Sequence, residues 1–204
     1  MKVALIPCAS TEWAQHGRLL GRVELEPTAE APAQCAAWSE QLRPANLGRI
    51  FFAPDELSKS TARHLARALN IPVKELDDLE EVDLGLWAGL TEEDLKKRYA
   101  TAHRQLVDSP LKVSPPRGEV FAAAADRLRE CFKKRLKPNA KEAIGLVMRP
   151  FCFAMARYLL EGEGVKIWET SRSPNAPIVM ELFAMPKPEA EGSGADDGKE
   201  TKHD

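Results

Sequence analysis

Long apolar runs, paired cysteines and a dominant charge are all missing from this sequence. No stretch approaches the ~20 consecutive apolar residues of a bilayer-spanning helix, so no membrane association is expected. Cys8, Cys35, Cys131 and Cys152 stand far apart, with no C-x-x-C pair and no metal-ligand spacing. That excludes a sequence-visible zinc site or disulfide framework, and buried reduced thiols are expected instead. Lys and Arg number 29 against 31 Asp and Glu, a formal net charge of −2, which gives no reason to expect nucleic acid as a partner. The apolar residues before Leu5-Ile6-Pro7-Cys8 are too few for the ~7–15-residue core of a signal peptide. A strand is the expected reading there, and the cytoplasm the expected compartment.

What is present describes a folded domain. A chain of 204 residues with 44% hydrophobic and 29% charged residues suits one domain with a sizeable core. Buried strands are expected at Lys2–Ile6, Arg49–Phe52, Val73–Leu76, Ala143–Met148 and Ile178–Phe183, each short, apolar and rich in β-branched or aromatic residues. Between them, helical spacing or cap signals mark Thr28–Leu42, Glu56–Asn70, a helix opening at Thr91, Glu119–Leu136 and Phe151–Leu160. Strands alternating with helices predict a three-layer α/β/α sandwich with a mainly parallel central sheet. The domain is expected to span 1–185. Residues 186–204 carry no apolar side chain larger than Ala and are expected to form a disordered polar tail.

The loop after the first strand, where ligands sit in such folds, reads Pro7-Cys8-Ala9-Ser10-Thr11-Glu12-Trp13, then Gly17-Arg18-x-x-Gly21. Further on stand Phe52-Ala53-Pro54 with Ser60-Thr61-Ala62, and Leu79-x-Glu81-x-Asp83-x-Gly85-x-Trp87-x-Gly89-Leu90-Thr91. Gly118-Glu119, Met148-Arg149-Pro150 and Asn175-Ala176 follow in order. These blocks resemble those of the histidine phosphatase (phosphoglycerate mutase-like) superfamily, and the resemblance covers residues 2 to about 183. It implies the phosphoglycerate mutase-like fold.

The same resemblance implies a degenerate site. The family attacks phosphorus with one His and neutralises the phosphoryl oxygens with a second His and two Arg, with an acid as proton donor. Here Pro7 stands at the first Arg, Cys8 at the nucleophilic His, Ala14 at a phosphate-holding Asn, Leu57 at the second Arg and Arg149 at the second His. Glu81 retains the acid position. Arg149, Thr11 and Arg18 are the expected binding residues, and no metal or cofactor is implied. His16, His64 and His103 lie off the motif positions. A C-x5-R phosphate loop is also absent, since Ala14 occupies its arginine position after Cys8. The expectation is a pseudo-phosphatase that binds a protein partner or a small anionic ligand. The alternative is a divergent hydrolase using Cys8 or Glu81 on a phosphorylated or other anionic substrate, and a third possibility is a purely structural subunit. If Arg149 takes the position of the second His, its nearest acid is Glu81. A charge-assisted contact between the two is expected, holding Glu81 ionised.

Overall fold

The computed structural model describes residues 1–183, apart from 139, 163 and 173–175. Asn175 and the expected tail at 186–204 therefore lie outside the described residues, as does the expected domain end at 185.

Five strands form one sheet: β1 (Lys2–Pro7), β2 (Leu47–Phe52), β3 (Val73–Glu75), β4 (Ala143–Met148) and β5 (Ile178–Glu181), in the spatial order β3-β2-β4-β1-β5. The first four run parallel and β5 pairs antiparallel with β1 at one edge. The helices are α1 (Glu12–Gln15), α2 (Ala31–Leu42), α3 (Glu56–Leu69), α4 (Glu92–Arg98), α5 (Ala100–Asp108), α6 (Phe121–Arg135), α7 (Pro150–Glu161) and α8 (Ile167–Arg172).

Period-two alternation along the strands assigns the layers. Val3, Leu5, Phe51, Ile144 and Leu146 face a large core shared with α6 and α7, whereas Ala4, Ile6, Ile50, Phe52 and Val147 face a smaller one with α2 and α3. β1 and β4 are buried on both faces, as strands covered by helices on each side must be. The expected three-layer sandwich is thus the observed one.

Local signals account for several boundaries. Asp55 caps α3 through Oδ1 to the Ser58 N–H at 2.9 Å, and Asn70 ends it in the left-handed conformation. Thr91 and Asp94 form a reciprocal capping box at the start of α4. Thr28 does not cap α2; its N–H and C=O go to Ser10 and Ala31, and the helix begins at Ala31. α6 starts later than expected, at Phe121, because the Glu119 N–H donates to the Asp83 carbonyl and its carboxylate accepts from Arg22 and Arg127. α5 and α8 were not anticipated by periodicity.

Candidate functional site

The carboxyl ends of β1 and β4 lie side by side, with Pro7 opposite Met148. The chain leaves β1 through Cys8, whose N–H donates to the Met148 carbonyl at 3.0 Å. The loop beyond is pinned to α2 and α3: the Ala9 N–H donates to Thr61 Oγ1 and the Ser10 N–H to Gln34 Oε1, both at 2.9 Å. β4 hands over to α7 through Arg149 at the N-cap position and Pro150 in the first turn. α3 brings Leu57 to the same end of the sheet, and Cys8, Leu20 and Leu57 form a small apolar cluster flanked by Trp13 and Leu25.

Arg149 is fully buried. Its Nε donates to Asp55 Oδ1 at 3.0 Å, and its Nη1 donates to the carbonyls of Gly21 at 2.8 Å and Val23 at 2.7 Å. Asp55 is thus its ion-pair partner, and the expected Arg149–Glu81 contact does not occur. The reason is local: Asp55 already stands at the N-cap of α3, with the same oxygen that serves Ser58 facing Arg149. The guanidinium is thus buried and ion-paired inside the fold. Its Nη2 has no hydrogen-bond partner among the described residues.

Glu81 is engaged elsewhere. Its Oε1 accepts from the backbone N–H groups of Val82 at 2.7 Å and Cys152 at 2.9 Å, and its Oε2 accepts from Phe151 at 2.9 Å. Two of those donors are first-turn N–H groups of α7, which have no partner inside the helix. A side chain nearly seventy residues upstream in sequence therefore caps the helix that follows Arg149. Burial pushes the Glu81 carboxyl above the usual range, opposed by its three backbone donors and by the charge of Arg149. The expectation that Arg149 holds Glu81 ionised through direct contact is corrected accordingly.

Cys8 has its thiol pushed far up, first by burial and then by the charge of Asp55, with Arg149 opposing. A neutral thiol over leucine side chains is a poor nucleophile at neutral pH. Thr11 is buried, and its Oγ1 accepts the Ala14 N–H at 3.2 Å, so it caps α1. The described histidines lie apart from this cluster: His16 Nδ1 contacts the Glu12 carbonyl, His64 Nδ1 that of Ser60, and His103 packs edge-on against Trp168.

Above the apolar cluster opens a cleft of about 250 Å³ lined by Cys8, Ala14, Leu20 and Gln34, with Arg18 and Arg172 among its walls. Arg18 Nη1 donates to the Gly89 carbonyl at 2.8 Å and Arg172 Nη2 to the Gly17 carbonyl at 2.6 Å. Arg172 also lies over the Trp168 ring, 5.3 Å from its centroid. Sequence reasoning missed Asp55 and Arg172. Asp55 carried a readable cap signal immediately before Glu56; Arg172 sits in a six-residue helix without periodicity and carried none.

The chain is 26% identical over 147 residues to phosphoserine phosphatase 1 of Hydrogenobacter thermophilus, covering 72% of this chain and 70% of that protein. Bacillus stearothermophilus YhfR superposes with a TM-score of 0.73 at 19% identity, over 89% of this chain and 91% of its own. A mutant phosphoserine phosphatase of Entamoeba histolytica in complex with phosphoserine superposes with a TM-score of 0.70 at 21% identity, over 82% and 84% of the two chains. The sequence profile of the histidine phosphatase superfamily (branch 1) matches residues 5–184. With most of its length under that match and the same α/β architecture, the chain belongs to the histidine phosphatase superfamily.

Proposed function

We propose that this protein is a pseudo-phosphatase, a member of the superfamily that has exchanged phosphoryl transfer for the binding of a partner protein or a small anionic ligand. The observation that carries the reading is the internal pairing of Arg149. The cation nearest the centre of the site is taken by Asp55 and two backbone carbonyls, which leaves its charge little to offer a transferred phosphoryl group. Preorganised donors supply much of the rate in such chemistry, and removing one typically costs ~10²–10³ in turnover. Cys8 packs with Leu20 and Leu57, and Leu57 stands where the resemblance puts an arginine of the family. The four unpaired, buried cysteines favour a reducing, cytoplasmic setting.

The test is turnover. Purified protein is expected to release no phosphate from p-nitrophenyl phosphate or phosphoserine above the level of a Cys8→Ser variant. Clear hydrolysis lost in that variant would replace this reading with a divergent phosphatase using Cys8. Restoring Pro7→Arg, Cys8→His, Leu57→Arg and Arg149→His together is expected to raise phosphate affinity.

A further inference from the structure

The polarity of the cleft runs opposite to that of a phosphoryl-transfer site. Its floor is neutral and apolar: Cys8 carries an un-ionised thiol and packs with Leu20 and Leu57. Cationic groups stand in its walls: Arg18 and Arg172 both line it, Arg18 held to the Gly89 carbonyl and Arg172 to the Gly17 carbonyl. Neither has a carboxylate within ion-pair distance among the described residues, in contrast to Arg22, Arg127, Arg149 and Arg157. The acids whose charge reaches them are engaged by others: Glu92 by Lys96 and His103, and Asp94 by the Thr91 capping box. Arg172 is partly buried, and that burial disfavours its charged form. A half-buried guanidinium left without an anion is costly, and an incoming oxyanion would relieve it.

We propose that this cleft binds a small organic oxyanion head-outward, with its charged group between Arg18 and Arg172 and an apolar body on the floor formed by Cys8 and Leu20. Gln34 fits the arrangement: its Oε1 is occupied by the Ser10 N–H, which leaves its Nε2 as a further donor in the cleft. At about 250 Å³ the space falls below the ~300–1,000 Å³ of drug-sized pockets, so the ligand is a small metabolite-sized acid. The inference rests on the pseudo-phosphatase reading of the same site and names its ligand class.

Calorimetric titration of the full chain with hexanoate, hexyl phosphate, hexanol and inorganic phosphate tests it, with Trp fluorescence as a second readout because Trp168 underlies Arg172. Hexanoate or hexyl phosphate is expected to saturate the site, the tighter of the two identifying the head group. Hexanol and inorganic phosphate are each expected to bind at least tenfold more weakly. Arg172→Gln and the exposed Arg18→Gln are each expected to weaken binding roughly tenfold or more, the loss expected for a charge-assisted hydrogen bond. Ala14→Phe, at an exposed position lining the cleft, is expected to block it. No saturable binding of either hexyl acid, inorganic phosphate binding as tightly as they do, or unchanged affinity in Arg18→Gln would overturn the proposal. Phosphatase turnover would instead overturn the reading beneath it, whatever the titration shows.

Discussion

Arg149, buried beneath the cleft lining, and Arg172, at the cleft wall, are both withdrawn from water, and the fold treats them differently. Arg149 is fully buried and receives a carboxylate and two carbonyls. Arg172 receives one carbonyl and an aromatic face. The first arrangement is that of a structural strut, since an unpaired charge at that depth would be prohibitive. The second leaves recognition capacity unspent. A cation's position near a cleft therefore says less about binding than whether a carboxylate inside the fold already pairs its charge.

The largest effect that should separate the two regions comes from truncating both arginines. Arg149→Ala strands Asp55 and the Gly21 and Val23 carbonyls and is expected to destabilise the fold by about 3–5 kcal/mol. Arg172→Ala loses a cation–π contact and one hydrogen bond and is expected to cost about 1 kcal/mol. Urea denaturation of both variants measures the difference; equal losses would erase the contrast.

Glu81 sharpens it at intermediate size. In Glu81→Gln an amide N–H₂ must face a backbone donor that the carboxylate accepted, and the expected cost is roughly 1–3 kcal/mol. Its folded pKa is raised by burial, so the wild type holds this proton more tightly folded than unfolded. The stability from that protonation is full below the unfolded carboxylate value, ~4.3, and is lost as pH rises through the folded one. The stability advantage of wild type over Glu81→Gln is therefore expected to narrow as pH increases across that window. Paired denaturation curves at several pH values test the sign, because effects common to both proteins cancel.

The smallest expected effect is at Cys8. With its thiol raised, alkylation of the folded protein by iodoacetamide at pH 8 should leave Cys8 essentially unmodified, as peptide mass mapping would show. Rapid labelling would mean that the floor is more polar than the Cys8–Leu20–Leu57 packing implies.

Much of the scaffold could be read directly from residues. The apolar runs at 2–6 and 143–148 are central strands because two helical layers cover them, and such strands show as continuous hydrophobic stretches. Trp87, within the block that carries the resemblance, is fully buried. The partners of Glu81 and Arg149 were not legible in the same way. The family resemblance placed both residues near one site, but which acid meets the guanidinium depends on side-chain direction at the start of α3 and α7. Asp55 wins because it is already fixed as a cap, while Glu81 is drawn away by the free N–H groups of α7. α8 escaped notice because six residues, Ile167–Arg172, are too few to display a helical period.

The central placement of β1 has a consequence during synthesis. Val3 faces Ile144 across the ladder, so the strand made early must wait for a neighbour made about 140 residues later, roughly 7–30 s at ordinary elongation rates. Its other neighbour, β5, comes later still. Until then the apolar Val3–Ile6 segment has two open edges on the nascent chain and is the natural place for a chaperone to hold. β1 thus pairs only after β4 is made, β5 can join only at its other edge, and the loop from Cys8 onward takes shape when the sheet closes around it.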